Sequence, residues 1–163
     1  ENIIDWDEYL QEYYKNIKKN SLLFQMKVLL HHLSKKINNK KISIHERSPV
    51  SCINIFGHHL VNKKFLGPLD MKLMNNYNKN YGWNPDIIIY IKTDPDIVKK
   101  RIDIRARVGE SIPLDYLSDI NDLYNNLYIL EKQKLNNIKI FCINGNNRID
   151  NILKEILIII RNI

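Results

Sequence analysis

The sequence has few of the residues that cross-link a secreted chain, and no apolar run that could anchor it in a membrane. Its two cysteines, Cys52 and Cys142, are far apart and fit no metal-ligand spacing, so we expect a reducing compartment. A membrane-spanning helix needs about 20 consecutive apolar residues. The last apolar run, residues 156–160, is too short. These absences argue against a disulfide-stabilised scaffold and against a transmembrane protein.

Glycine is also scarce, and no glycine precedes a Lys-Ser or Lys-Thr pair. The five glycines are isolated from one another: Gly57, Gly67, Gly82, Gly109 and Gly145. Residues 1–163 therefore contain no G-x-x-x-x-G-K-[ST] loop, in which backbone N–H groups cradle nucleotide phosphates. There is also no Pro/Gly/Ser-rich linker and no internal repeat. A chain of 163 residues with 44% hydrophobic content is thus expected to form one domain, residues 1–163.

The charge is strongly positive, with 25 Lys and Arg against 18 Asp and Glu, a formal net charge of +7. Such a balance suits a polyanion, either nucleic acid or a smaller one such as a nucleotide. Much of the excess is lysine in the Asn- and Lys-rich stretches 16–20 and 35–41. We interpret these stretches as solvated surface.

Apolar periodicity predicts strands that alternate with helices. We expect strands at residues 42–45, 86–92 and 138–143, and helices at 21–36, 49–60, 70–80, 95–105, 115–136 and 149–161. The run at 86–92 is continuously apolar, which is typical of a parallel strand buried on both faces. The alternation predicts a three-layer α/β fold with a parallel sheet.

An acidic residue and an arginine lie where the first expected strand ends. Glu46 and Arg47 follow it directly, and Ser48-Pro49 can begin a helix as N-cap and first-turn residue. In open parallel sheets, ligands bind at this strand-to-helix edge. Glu46 could face a metal ion and Arg47 a phosphate or hydroxyl. The alternative is a surface ion pair, which contributes little.

Three arginines lie close together further along the chain, on an expected helix that leads into a loop. They are Arg101, Arg105 and Arg107, and Glu110 follows them. Guanidinium groups match phosphate oxygens, so this segment is a candidate anion clamp. A solvated helix face is the alternative.

A glutamine lies within the apolar stripe of the first expected helix. Gln25, Val28, Leu29 and His32 share one helical face. The Gln25 amide could pair with the donor and acceptor of a nucleobase edge, or bond to backbone at the edge of the core. Three aromatic side chains could stack on such a base, or belong to the core: Trp6, Phe24 and Phe56.

The ordered set of motifs resembles the deoxyribonucleoside kinases, the family of deoxycytidine, deoxyguanosine and mitochondrial thymidine kinases. The matching segments, in chain order, are Glu1 with Trp6, Tyr14 with Phe24-Gln25, Glu46-Arg47-Ser48 with Phe56, residues 88–95, Arg105-Ala106-Arg107 with Glu110, residues 113–117, and Asn144-Gly145-Asn146. The resemblance covers nearly the whole chain. It implies a P-loop kinase fold, with a lid at about residues 101–113.

The resemblance also implies a role for each matching residue. Glu1 would be the general base for the nucleoside 5′-hydroxyl, Arg47 would hold that hydroxyl, and Glu46 would help bind Mg²⁺. Tyr14 and Glu110 would hydrogen-bond the 3′-hydroxyl of the deoxyribose.

The base and the phosphate donor are assigned to further residues by the same resemblance. Gln25 would pair with the base, Phe56 would stack on it, and Trp6, Phe24 and Val28 would line the pocket. Arg101, Arg105 and Arg107 would stabilise charge on the transferring γ-phosphoryl group of ATP. Asn144, Gly145 and Asn146 would form the loop that borders the adenine.

Two residues depart from the family pattern in the base pocket. His32 lies where relatives carry an apolar residue or arginine, and Cys52 where cytidine- and purine-preferring relatives carry aspartate. A small neutral residue at position 52 leaves room for a substituent such as the thymine methyl. We therefore expect a preference for pyrimidines, thymidine or deoxycytidine.

The missing phosphate loop is the largest departure. In the family it precedes the point that corresponds to Glu1, so we expect residues 1–163 alone neither to fold well nor to phosphorylate a substrate. The resemblance further implies ATP and a deoxynucleoside as the small-molecule partners, no nucleic acid or membrane partner, and a homodimer. We expect a cytoplasmic location, with mitochondria as the alternative.

Two other functions are compatible with parts of the sequence. A nucleoside monophosphate kinase such as thymidylate kinase shares the fold and lid chemistry, but it needs a phosphate site on the acceptor side. The set Tyr14, Gln25 and Glu110, which would bind a neutral sugar and base, argues against it. A non-catalytic nucleotide- or nucleic-acid-binding module would account for the basic charge and the missing loop.

Overall fold

The computed structural model describes residues 3–35, 42–107, 110–133 and 138–163. Its helices are α1 (Ile3–Lys15), α2 (Ile17–Leu33), α3 (Pro49–Ser51), the π-helical segment π1 (Cys52–Gly57), α4 (His58–Asn62), α5 (Pro68–Tyr81), α6 (Pro95–Arg105), α7 (Leu114–Gln133) and α8 (Ile149–Arg161). The two strands are β1 (Ile87–Lys92) and β2 (Lys139–Asn144). The chain divides into two compact units, one up to Asn84 and one from Pro85.

The first unit is helical and has its own apolar core. α2 begins where the Asn16 side chain accepts a hydrogen bond from the Lys19 backbone N–H, at 3.1 Å. The apolar face of α2 packs against the helical segments that follow it. The buried core cluster comprises Leu29, Cys52, Ile53, Leu60, Leu66 and Met74. This core holds the helices that carry the base-reading candidates of α2 and π1.

The helix predicted at residues 49–60 is confirmed, although its middle is π-helical. Ser48 is the extended N-cap and Pro49 the first helical residue, but the Ser48 side chain makes no capping hydrogen bond. The next six residues, Cys52–Gly57, form π1. π-helical insertions change which side chains face inward and are frequent at functional sites. Here Cys52, Ile53 and Ile55 are all buried.

The strand predicted at residues 42–45 is wrong, because this segment is irregular in the structure. Ile42 and Ile44 are 76% and 79% exposed. A strand needs a neighbour for its backbone N–H and C=O groups, and no described strand pairs with this segment. An apolar alternation cannot reveal whether that neighbour exists. Helix α1, in contrast, was not predicted.

The second unit contains the sheet, in which β1 and β2 pair in parallel from Ile87↔Lys139 to Lys92↔Asn144. The predicted parallel sheet is thus confirmed for these two strands. Ile143 on β2 and Ile152 on α8 are buried, and these two elements pack against each other. The predicted helix at 115–136 is observed as Leu114–Gln133, and residues 134–136 lie outside the described part of the chain. None of the described helices has the length and apolarity needed to cross a membrane.

After β2, the backbone at Gly145 lies so close to the end of β1 that a side chain would not fit there. Its N–H donates to the Lys92 carbonyl oxygen at 2.7 Å. A Cβ atom at this position would lie 2.0 Å from Thr93 Oγ1 and 2.9 Å from the Lys92 carbonyl oxygen. Any side chain would therefore push the loop after β2 away from the end of β1.

We expect Leu29→Ala to lower the free energy of unfolding by about 2–5 kcal/mol, because Leu29 is fully buried and its truncation leaves a cavity in the core. Leu23→Ala is the matched control on the same helix, since Leu23 is 56% exposed. Its effect should stay within about 0.5 kcal/mol. Denaturant unfolding followed by circular dichroism measures both; equal losses would contradict the assigned core.

Candidate active site

Arg47 adopts a strained backbone at the point where the chain enters α3. Its φ of 62° lies in the left-handed region, which is uncommon for a residue with a side chain. The guanidinium carbon lies 4.5 Å from the centre of the Phe56 ring, a cation–π contact. Glu46 and Arg47 are both exposed, and they form no ion pair with each other in the described structure. Strain held by packing at an exposed arginine is typical of a functional position.

Gln25 and Cys52 form a buried polar contact between α2 and π1. The Cys52 thiol lies 3.5 Å from Gln25 Oε1 and 3.6 Å from the Gln25 backbone oxygen. Gln25 is 5% exposed and Cys52 1% exposed. Burial raises the pKa of Cys52 to about 12, so the thiol stays protonated and can donate to the amide oxygen. The Cys52 thiol is therefore within hydrogen-bonding distance of the Gln25 amide oxygen, a contact that the sequence pattern did not predict.

His32 lies on the same face of α2, two turns beyond Gln25. It is 6% exposed, and its Nδ1 atom is buried without a hydrogen-bond partner among the described residues. Desolvation, followed by the nearby charge of His31 and Lys35, lowers the pKa of His32 to about 4. The imidazole is therefore neutral at physiological pH. The His32 backbone oxygen accepts a hydrogen bond from the Trp83 indole N–H at 2.9 Å.

The other predicted pocket residues of the first unit lie on α1 and α2. Phe24 stacks on Tyr13 with ring centres 4.7 Å apart, and Tyr14 lies beside Tyr13 at 5.6 Å. Trp6 contacts His31 edge-on at 5.2 Å. Val28 is half-buried against the core cluster. Helices α1 and α2 thus bring aromatic rings to the same interface.

In the second unit, the lid candidates are distributed over the end of α6 and the segment beyond it. Arg105, the last residue of α6, forms an ion pair with Glu110 at 2.6 Å. The Glu110 side chain is 6% exposed and that of Arg105 50%. Ala106 turns the chain in the left-handed region, with φ of 49°, and Arg107 follows it as an exposed residue. Arg101 instead donates to the Asn147 carbonyl oxygen at 3.3 Å.

A cleft of about 360 Å³ lies where the two parallel strands end. This is the edge at which α/β proteins bind ligands. Its lining residues are Lys92, Asp94, Cys142, Ile143, Asn144 and Asn146. The sequence predicted Asn144 and Asn146 here but not Lys92 or Asp94. Their position directly after an apolar strand was the signal that could have identified them.

The general base expected at Glu1 lies outside the described residues. Within the described residues, no group of three or more His, Cys, Asp or Glu side chains could hold a metal ion. This finding is compatible with magnesium in a kinase, because Mg²⁺ is commonly held by one or two carboxylates together with substrate phosphates and water. The exposed carboxylate of Glu46 has the chemistry for that kind of site.

The chain belongs to the deoxynucleoside kinase family, whose sequence model matches residues 1–162. The family assignment supports an enzyme that phosphorylates nucleosides.

Individual relatives agree with this assignment. A protein of Invertebrate iridescent virus 3 that is named as a kinase is 31% identical over 145 residues, covering 82% of this chain and 75% of its own length. The deoxyguanosine kinase of Dictyostelium discoideum is 28% identical over 159 residues, 91% of this chain and 55% of that relative. A solved structure of deoxyadenosine kinase from M. mycoides with bound dCTP matches with a TM-score of 0.81 at 20% identity. It covers 100% of this chain and 84% of that one, which establishes the P-loop kinase fold.

The two cysteines are expected to differ sharply in reactivity. In the native protein at pH 8, iodoacetamide should modify the exposed Cys142 and leave Cys52 unmodified, because only a reachable thiolate attacks. Peptide mass mapping measures both sites, and unfolding in denaturant should expose Cys52 to labelling. Cys142→Ser is the control that should abolish native labelling. Rapid native modification of Cys52 would contradict its burial beside Gln25.

Proposed function

We propose that this protein transfers the γ-phosphoryl group of ATP to the 5′-hydroxyl of a pyrimidine deoxyribonucleoside, thymidine or deoxycytidine. The observation that carries the pyrimidine assignment is the Gln25–Cys52 contact. The Gln25 amide is held with its oxygen beside a protonated thiol. Its Nε2 atom has no hydrogen-bond partner among the described residues. A base that offers a donor beside an acceptor would satisfy both hydrogen-bonding groups of the Gln25 amide.

In this proposal it is the neutral residue at position 52 that favours a pyrimidine, because purine edges also offer a donor beside an acceptor to the amide. Both thymine and cytosine present a donor next to an acceptor, which one side-chain amide can meet with two hydrogen bonds. A carboxylate at position 52 would add a strong acceptor for further amino groups, whereas the neutral thiol of Cys52 adds none. The relatives named for deoxyguanosine and deoxyadenosine are different proteins, so the base preference proposed here rests on this chain's own residues.

The sugar and the phosphates would be held by polar and charged side chains from several segments of the chain. Arg47, supported from one side by the Phe56 ring, would hold the 5′-hydroxyl and the general base Glu1. Tyr14 and Glu110 would bind the 3′-hydroxyl. Substrate binding would then compete with Arg105 for Glu110, since the two are paired in this structure. Arg105 and Arg107 would stabilise phosphoryl charge.

ATP and Mg²⁺ are part of the proposal. When bound, the metal ion would neutralise charge on the donor phosphates, as in phosphoryl transfer generally. Glu46 is the described carboxylate that would help hold it. Asn144, Gly145 and Asn146 would border the adenine, at the cleft beyond β1 and β2. We also propose that the protein works as a cytoplasmic homodimer.

The test is phosphorylation of the four deoxynucleosides by the protein as encoded, with ATP and Mg²⁺, by steady-state kinetics. We expect kcat/KM for thymidine or deoxycytidine to exceed that for both purine nucleosides by at least about tenfold, a difference of about 1.4 kcal/mol. A purine preference would overturn the base assignment but leave the kinase assignment. Faster transfer to dTMP than to thymidine would favour a monophosphate kinase.

Gln25→Leu should lower kcat/KM for the preferred deoxynucleoside by about 30- to 300-fold, the loss of two hydrogen bonds to the base. Gln11→Leu is the matched control, because Gln11 is exposed on α1. Melting temperature separates loss of recognition from loss of folding. Unchanged kinetics in a folded Gln25→Leu variant would exclude Gln25 as the base-reading residue.

A further inference from the structure

The loop after β2 is joined to the start of α6 by a reciprocal pair of hydrogen bonds. The Asp94 backbone N–H donates to Asn146 Oδ1 at 2.9 Å, and Asn146 Nδ2 donates to Asp94 Oδ2 at 2.8 Å. We name this pair the Asp94–Asn146 clamp. The two residues are 52 positions apart in sequence, so the contact is tertiary.

The clamp uses an aspartate that would ordinarily serve its own helix. Asp94 is the N-cap of α6, a position where an aspartate side chain usually accepts from the first backbone N–H groups. Here the Asp94 side chain makes no capping hydrogen bond. Its carboxylate is directed to Asn146 instead, which indicates that the geometry between loop and helix takes precedence over the local cap.

Three further contacts fix the same loop. Asn144 Oδ1 accepts from the Asn146 backbone N–H at 3.0 Å, which fixes the backbone of the loop at Asn146. Gly145 N–H bonds to the Lys92 carbonyl oxygen. Arg101, nearly two turns along α6, donates to the Asn147 carbonyl oxygen at 3.3 Å. The loop is therefore attached to the end of β1, to the N-cap of α6 and to the middle of α6.

We infer that Asp94 is a positioning residue, which aligns the donor-base loop with the helix that carries Arg105 and leads to Arg107. This inference rests on the proposed function, in which the loop borders the adenine and the arginines contact phosphate. With the clamp formed, α6 is already aligned when the phosphate donor binds against the loop. Without it, the same binding free energy must also order the loop.

The chemistry of the pair allows a reciprocal exchange. Asn146→Asp removes the amide donor and places two carboxylates side by side. Adding Asp94→Asn restores one donor and one acceptor, because the new amide at position 94 can donate to the new carboxylate at position 146. The backbone N–H of residue 94 keeps its acceptor in both variants.

We expect Asn146→Asp to raise KM for ATP by about five- to tenfold, the factor for about one lost hydrogen bond, with KM for the deoxynucleoside changed less than about twofold. The double variant Asp94→Asn/Asn146→Asp should return KM for ATP to within about twofold of wild type. Asp103→Asn on α6 and Asn151→Asp on α8 are charge-matched controls at exposed positions, and both should behave as wild type.

The double variant distinguishes a clamp from a direct contact. If Asn146 acted only by touching the donor, a change at position 94 would not rescue its substitution, and that result would overturn the inference. An active wild type with unchanged KM for ATP in Asn146→Asp would also overturn it while leaving the proposed function intact. A wild type that transfers no phosphoryl group from ATP would remove both.

Discussion

Parallel pairing of β1 with β2 is the constraint on which the second unit depends. The backbone register sets Lys92 opposite Asn144, so both strands end at the same level. Three features at this edge of the sheet follow from that level: the cleft, the close approach of Gly145 to Thr93, and the contact of Asp94 with Asn146. A shift of the register by one residue would reverse the side-chain faces and separate these groups.

The first unit is organised by a different constraint, the cost of burying polar groups. Gln25 and His32 lie on the buried face of α2 together with Ser21 and Leu29, and each is more than nine-tenths buried. Gln25 Oε1 is satisfied by the Cys52 thiol, whereas His32 avoids the larger cost by remaining neutral. An uncharged amide or imidazole can be buried without a counter-charge.

Sequence patterns predicted the helices and strands of the second unit closely, since β1 is continuously apolar, α6 begins at a first-turn proline and α8 is strongly amphipathic. They failed at residues 42–45, where the same kind of pattern does not form a strand. They also missed α1, although its apolar residues recur with helical periodicity. Motifs indicated the candidate site residues. In the structure, Gln25 contacts Cys52, Arg47 lies over the Phe56 ring, and Arg105 forms an ion pair with Glu110. None of these three partnerships was predicted, because a motif specifies residue types and spacing but not contacts.

The family, the order of strands and helices, and the chemical types of the candidate site residues can be derived from the linear sequence alone. These depend on local periodicity and on residue identity, both of which a linear chain displays. Only the tertiary structure decided that Cys52 contacts Gln25, that His32 is buried and neutral, and that Asp94 leaves its own helix cap for Asn146. Those outcomes depend on contacts between residues up to 52 positions apart and on the desolvation of buried groups. Both arise only when the helices and strands pack together.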